Sequence, residues 1–200
     1  DIMMHTLERY MGGTTKETPL TDRIAEGLLK TVAEAGAVAD RDPENYEARA
    51  TLMWAGSLSH NDLTSAGRAF MMQVHQMEHE LSGMYPQIAH GAGLSALWPS
   101  WARYVCAAWP ERFAQYAVRV WNLEMNFENP METALAGIKV TEDYFKSLDM
   151  PTNIRDLGVE PEKIDEMAEK CTNFGTRTLP GIRELGKAEM MEIYRMAMEA

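Results

Sequence analysis

Apolar residues recur with helical spacing along most of this chain. In the segment that begins near Pro19, for example, Leu28, Val32 and Ala35 fall on one helical face. Runs rich in Val, Ile and Thr with a period of two residues are absent, so we expect little or no β-sheet. The pattern therefore predicts an all-α fold, a bundle of many helices.

Prolines, glycines and polar residues suggest where the helices begin and end. Asp42-Pro43 is typical of an N-cap followed by proline in the first turn, and it predicts a helix that continues through Leu58. Glycines and a proline interrupt the apolar segment 90–109, and segment 176–186 is expected to be a loop. The remaining predicted helices cover residues 65–84, 110–121, 130–148, 161–173 and 187–200.

Length, composition and charge limit the possible classes of protein. A chain of 200 residues with 46% hydrophobic and 24% charged residues can form one sizeable globular domain. The net charge of −11 argues against a nucleic-acid partner, because binding to phosphates needs a basic surface. No apolar run reaches the roughly 18 residues of a membrane helix, and no signal peptide is visible. We therefore expect a cytoplasmic protein without a membrane partner.

The cysteines and tryptophans are most simply explained as structural. Cys106 and Cys171 form no CxxC motif, so we expect buried thiols, although one disulfide remains possible at this point. Trp54, Trp98 and Trp101 are expected in the core. A minority of the tryptophans and methionines could instead line an apolar substrate pocket.

Four of the five histidines and one aspartate form the most informative pattern. Asp1 and His5 are four residues apart, as are His75 and His79, so each pair shares one helical face. His90 follows beside a glycine-rich turn. Two such pairs on facing helices can bind one divalent ion. Imidazoles with one carboxylate suit zinc or iron(II) rather than calcium or magnesium.

Simpler interpretations of these motifs remain open. A carboxylate and a histidine four residues apart are usually surface neighbours, and a lone buried histidine is usually a core residue. HQMEH also matches the inverted zinc-protease pattern, in which His75 and His79 would bind zinc and Glu78 would be the general base. A zinc hydrolase is thus the second hypothesis, and a helical interaction module without metal is the third. His60 is expected to end a helix or to lie in the following turn, and it receives no role.

Three longer segments of the chain carry a family resemblance. These segments are NYEARATLMWAGSLSHNDL, HQMEHELSGMYPQIAHGAGLSALWPSWARYV and EMMEIYRMA. Together they resemble the iron-containing alcohol dehydrogenases, in particular the butanol-dehydrogenase branch, over the whole chain. The resemblance implies that residues 1–200 form a C-terminal, all-helical, metal-binding catalytic domain of the dehydroquinate-synthase-like kind. It also implies that the N-terminal dinucleotide-binding domain is absent from this chain.

The resemblance implies specific roles for the same residues. Asp1, His5, His75 and His90 match the metal ligands of the family, and His79 matches a catalytic histidine near the substrate and the nicotinamide. The metal would be Fe(II), Zn(II) or another divalent ion, and NAD(P) would bind through the missing domain. The substrates would be primary aliphatic alcohols or aldehydes. We expect a homodimer in the intact enzyme and an inactive isolated chain.

The chain departs from the family pattern at one point. MYPQIAH contains an apparent one-residue insertion near Pro86-Gln87, between the last two metal ligands. If the loop bulges there, His90 can still reach the metal. If it does not, the fourth ligand is lost.

Overall fold

A computed structural model describes residues 1–12, 17–69 and 71–199 of the chain. Within these residues no strand occurs, and a single antiparallel bridge joins Leu179 to Leu185. The all-α prediction is therefore confirmed. The helices of the described part are α1 (Ile2–Tyr10), α2 (Pro19–Arg41), α3 (Tyr46–His60), α4 (Gln73–Met84), α5 (His90–Val105), α6 (Pro110–Trp121), α7 (Pro130–Ser147), α8 (Ile164–Cys171) and α9 (Lys187–Glu199).

Helix α5 lies at the centre of the fold. It packs against α4, α7 and α9, and Leu94, Leu97 and Trp98 on it are fully buried. A helix that is apolar on nearly all sides is stable only when other helices surround it. Helix α1 packs against α2 and α3. Helix α1 is thus packed against α2 and α3, and α5 is enclosed by α4, α7 and α9.

The predicted core position is confirmed for Trp98 and Trp101 and is wrong for Trp54. Trp54 is 65% exposed, because it lies on the outer face of α3. The inner face of that helix is formed by smaller side chains, including Ala48 and Ala55, which are buried. The small residues allow α3 to pack closely against α1 and α2 and leave the large aromatic ring outside.

The predicted start of α3 at Asp42-Pro43 is wrong. Asp42 instead ends α2, since its backbone N–H donates to the carbonyl of Val38. The N-cap of α3 is Asn45, whose side-chain oxygen accepts from the backbone N–H of Ala48 at 3.0 Å. Both Asp42 and Asn45 are good capping residues. The local sequence alone could not decide between them.

The predicted helix over 65–84 is too long, because α4 begins only at Gln73. A short 3₁₀ turn, Leu63–Ser65, comes first and is followed by Gly67 with a φ of +79°. Glycine adopts this left-handed conformation without strain and ends the turn there. Residue 70 of this prediction lies outside the described residues.

The expected interruptions of segment 90–109 do not occur within α5. Pro99 lies inside this helix, and Gly91 and Gly93 lie in its first turn. Proline removes one backbone hydrogen bond, yet the apolar packing around α5 maintains the helix. The segment ends in a 3₁₀ turn, Cys106–Ala108.

The other boundaries agree more closely with prediction. Helix α6 has the predicted bounds, and α7 ends one residue earlier than expected. The predicted helix 161–173 is divided into a 3₁₀ turn, Pro161–Lys163, and the shorter α8. The last predicted helix agrees with α9 as far as it is described, since residue 200 lies outside the described part.

Cys106 and Cys171 are buried and free, so no disulfide joins them. Among the described helices, none has the length and apolar character needed to cross a membrane.

A buried ionic network joins α1, α2 and α6. Both carboxylate oxygens of Asp22 accept hydrogen bonds of 2.8 Å from Arg112, and Arg68 contacts the same carboxylate. The Arg112 guanidinium lies 3.7 Å from the ring centroid of Tyr10 and also donates to the Tyr10 carbonyl. Planar arginine can stack and form such paired bonds at once. The network fixes the end of α1 in the core.

A glycine contact between α6 and α7 yields a stability prediction. A Cβ atom at Gly137 would lie 2.5 Å from Ala117 Cβ, whereas Gly27 has no atom within 4 Å of its Cβ position. Gly137→Ala should lower the free energy of unfolding by about 1–3 kcal/mol, because the two helices must separate. Gly27→Ala, the matched control, should raise it by about 0.5–1 kcal/mol. Denaturant unfolding measures both changes, and equal effects would contradict the packing argument.

Candidate metal centre

The four predicted ligands converge on one point. Asp1 precedes α1, His5 lies on α1, His75 lies on α4, and His90 is the first residue of α5. Asp1 Oδ1 is 3.2 Å from His75 Nε2, 3.5 Å from His5 Nε2 and 3.6 Å from His90 Nε2. Three helices thus direct three imidazole nitrogens toward one carboxylate oxygen.

Two buried glutamates contact His75 and His90 on the side of each ring that faces away from Asp1. Glu8 Oε2 contacts His75 Nδ1, and Glu78 Oε2 contacts His90 Nδ1. An ionised carboxylate only accepts hydrogen bonds, so it favours the proton on Nδ1 and leaves the lone pair on Nε2. These lone pairs then face the carboxylate of Asp1. Without a cation between them they repel each other, so the donor set fits a divalent ion of the zinc or iron(II) type.

Glu8 also completes the start of α4. Its Oε1 accepts the backbone N–H of Val74 at 2.6 Å, and its Oε2 accepts that of His75 at 3.2 Å. The first N–H groups of a helix have no partner within the helix, and α4 has no side-chain cap of its own. Sequence reasoning missed Glu8. Its position three residues after His5, on the same face of α1, was the available signal.

Glu78 is fully buried and engaged on both oxygens. It contacts Ser82 through Oε1 and His90 through Oε2. A Cβ atom at Gly93 would lie 2.5 Å from Glu78 Oε1, so this glycine provides the space that the carboxylate occupies. The close neighbour of Gly93 is thus a side chain and not another backbone.

His79 lies beside the cluster but on its exposed side. Its ring centroid is 6.2 Å from that of His75 and 5.7 Å from that of His90. Among the described residues, its ligand atoms form a candidate group only with Glu78 and His90. The zinc-protease pattern would instead need His75 and His79 on one ion, with Glu78 free to act as a base. The geometry argues against that arrangement.

Burial keeps His5 neutral. Loss of solvent, followed by the charges of His75 and His60, lowers the pKa of the His5 imidazole from 6.5 to about 3. A histidine must be unprotonated to bind a metal, so the neutral form is ready near neutral pH. His5 Nδ1 is buried and has no hydrogen-bond partner among the described residues.

His60 joins the cluster, although the sequence suggested no role for it. It is the last residue of α3, as expected for a residue that ends a helix. Its Nε2 lies 3.1 Å from Asp1 Oδ2, and its ring centroid lies 3.8 Å from that of His5. His60 lies 59 residues from Asp1 in the sequence, so no local pattern linked the two residues.

The apparent insertion near Pro86-Gln87 does not remove His90 from the cluster. A turn follows α4, in which the backbone N–H of Ile88 donates to the carbonyl of Tyr85 at 2.9 Å. Ile88 is buried and holds this turn against the core. His90 then begins α5 with its Nε2 facing Asp1.

The fold and the cluster together describe an all-helical domain in which three histidines and one aspartate converge. The family model described as "Fe-containing alcohol dehydrogenase family, C-terminal" matches residues 1–198. The chain belongs to this family.

Individual relatives agree with that assignment. The chain is 39% identical to NADH-dependent butanol dehydrogenase B of Clostridium acetobutylicum, over 99% of this chain and 50% of that protein. It is 31% identical to an NADPH-dependent aldehyde reductase of Escherichia coli, over 98% and 50%. The crystal structure of an NADH-dependent butanol dehydrogenase A from Thermotoga maritima superposes with a TM-score of 0.90 at 30% identity, over 99% and 50%. The chain spans about half the length of these relatives.

The double role of Glu8 yields a second prediction. Glu8→Ala should lower the free energy of unfolding by about 2–4 kcal/mol, because two backbone donors at the start of α4 lose their acceptor inside the protein. Glu8→Gln keeps one acceptor oxygen and should cost less. Glu34→Ala, at an exposed position on α2, is the control and should change stability little. Urea unfolding measures the series, and a Glu8→Ala value equal to the control would refute the capping role.

Proposed function

We propose that this chain is the metal-binding part of an NAD(P)-dependent dehydrogenase that interconverts primary aliphatic alcohols and aldehydes. Asp1, His5, His75 and His90 would hold the ion, which is Fe(II), Zn(II) or a similar divalent metal. The observation that carries this proposal is the convergence of three Nε2 atoms on Asp1 Oδ1, at 3.2–3.6 Å.

Family membership supports the reaction type. The relatives reported above are named as alcohol or aldehyde oxidoreductases, and they include both NADH-dependent and NADPH-dependent proteins. The proposal therefore covers both NAD and NADP. NAD(P) itself, and the homodimer expected for the intact enzyme, rest on family membership alone.

The donor set suits the chemistry of this reaction. When bound, the metal would act as a Lewis acid on the substrate oxygen, and the nicotinamide would carry the hydride. Asp1 supplies the one anionic donor, while His5, His75 and His90 are neutral ligands. An ion held by these four donors would bind a substrate oxygen as a fifth ligand, an expansion that catalytic zinc sites can undergo.

His79 is proposed to move the proton that accompanies hydride transfer. Its ring is exposed and lies 5.7 Å from that of His90, so it borders both the cluster and solvent. Histidine changes its protonation near neutral pH and is well suited to a relay. Because His79 lies at the edge of the cluster, it can relay a proton without binding the metal.

The ligand assignment can be tested on the 200-residue chain. The wild-type chain should bind Zn²⁺ or Co²⁺ at a ratio near one. His75→Ala and His90→Ala should each reduce the bound metal strongly, because each removes a ligand, whereas His79→Ala should leave it unchanged. Elemental analysis after gel filtration measures the ratio. Loss of metal in His79→Ala would instead favour the zinc-hydrolase pairing.

The reaction can be tested on a chimera. The chain would be joined to the N-terminal half of Clostridium acetobutylicum butanol dehydrogenase B and assayed for NADH oxidation with butanal. The chimera should turn over, and His79→Ala should lower its rate by about 10²–10⁴-fold while the metal is retained. The chain alone should not oxidise NADH, because its described part contains no βαβ unit for a dinucleotide. NADH-dependent turnover by the chain alone would contradict the proposal, and peptide hydrolysis would support the hydrolase.

A further inference from the structure

We propose that His60 is a positioning residue that orients the carboxylate of Asp1 and the ring of His5 for metal binding. The inference rests on the proposed function, since it concerns the same metal centre. It adds a residue on α3 to a site otherwise formed by the N-terminal segment, α1, α4 and α5.

The two oxygens of Asp1 face different partners. Oδ1 faces the Nε2 atoms of His5, His75 and His90, while Oδ2 lies 3.1 Å from His60 Nε2. A hydrogen bond to Oδ2 therefore fixes the rotation of the carboxylate and keeps Oδ1 directed at the three histidines. Hydrogen-bonded carboxylate ligands are a general feature of metal sites.

The surroundings of His60 place a proton on the nitrogen that faces Asp1. His60 Nδ1 lies 2.7 Å from Ser59 Oγ and 2.9 Å from the carbonyl of Gly56. Asp1 Oδ2 is a carboxylate oxygen and only accepts, so it favours the proton on Nε2 of the neutral ring. The Ser59 hydroxyl, which also lies 3.0 Å from the Gly56 carbonyl, then donates to Nδ1. In the protonated ring, both nitrogens carry protons, and Nδ1 donates to the Gly56 carbonyl. Nε2 is thus a donor to Asp1 in either state, the reverse of the tautomer assigned to His75 and His90.

His60 also holds the ring of His5. The two ring centroids are 3.8 Å apart with an angle of 38° between the planes. His75 and His90 have Glu8 and Glu78 as outer partners, but His5 Nδ1 has no hydrogen-bond partner among the described residues. The ring of His5 is therefore oriented by packing, against His60 on one side and against His75, with ring centroids 4.3 Å apart, on another.

A direct ligand role is the alternative that the test must separate. Asp1, His5 and His60 have ligand atoms within 4.8 Å of one another. Glutamine can place an amide N–H near the position of Nε2 and donate to Asp1, yet it is a poor replacement for an imidazole ligand. Asparagine is one methylene shorter, so it can mimic Nδ1 toward Ser59 and Gly56 but cannot reach Asp1.

The experiment measures Co²⁺ binding to the 200-residue chain by chelator competition and by the visible Co²⁺ spectrum. His60→Leu and His60→Asn should each weaken Co²⁺ binding by about 10–100-fold at unchanged stoichiometry. His60→Gln should bind close to wild type with the wild-type spectrum. Ser57→Ala, at an exposed position one turn earlier on α3, is the control and should change neither. The side chain of His60 is 41% exposed, so the polar variants should fold.

The outcomes are distinct. If the wild-type chain binds no Co²⁺, the proposed function itself fails. If the wild type binds and both His60→Asn and His60→Leu bind equally well, only the positioning role is overturned. Equal loss in His60→Gln and His60→Asn, with an altered Co²⁺ spectrum, would make His60 a ligand and would also overturn it.

Discussion

The side chain of Glu8 is the constraint on which the metal centre depends. It accepts two backbone N–H groups at the start of α4 and contacts the ring of His75 on that helix. One buried carboxylate thus sets the position of a helix and the orientation of His75 on it. Because Glu8 lies on α1, one turn beyond His5, the same contact fixes the distance between His5 on α1 and His75 on α4. The Asp22–Arg112 network contacts the last residue of the same helix, Tyr10, and holds this end of α1 in the core.

The outer partners give the centre a charge balance that suits a divalent ion. Among the described residues, Asp1 is the one carboxylate that faces the converging nitrogens, while Glu8 and Glu78 lie behind the rings of His75 and His90. Hydrogen bonds to carboxylates make these imidazoles stronger donors and hold their tautomer. Glu8 and Glu78 are buried, and buried negative charge without a counterion is unfavourable, so a cation bound between Asp1 and the histidines should stabilise the arrangement. Metal affinity and domain stability should therefore be linked.

The sequence allowed the fold class and the convergent residues to be predicted, but not the contacts that hold them. Helical spacing and a family resemblance are local or linear signals, and they were sufficient to predict that Asp1, His5, His75 and His90 belong together. Glu8 and His60 act across long sequence distances, since Glu8 contacts α4 and His60 approaches Asp1 from the end of α3. Such contacts depend on how the helices pack. The misplaced start of α3 has a similar cause, because two nearby capping residues, Asp42 and Asn45, compete and packing decides between them.

Exposure within the centre indicates the directions from which a substrate can approach. The His75 side chain is 5% exposed, that of His90 is 38% exposed, and His79 lies beyond His90 toward solvent. The opposite side is closed by α1 and Glu8. The cluster is thus open past His90 and His79, and it is also open beside Asp1 and His60, whose side chains are 38% and 41% exposed. If the proposed function holds and the substrate approaches past His90, His79 lies where a proton can pass between substrate and solvent.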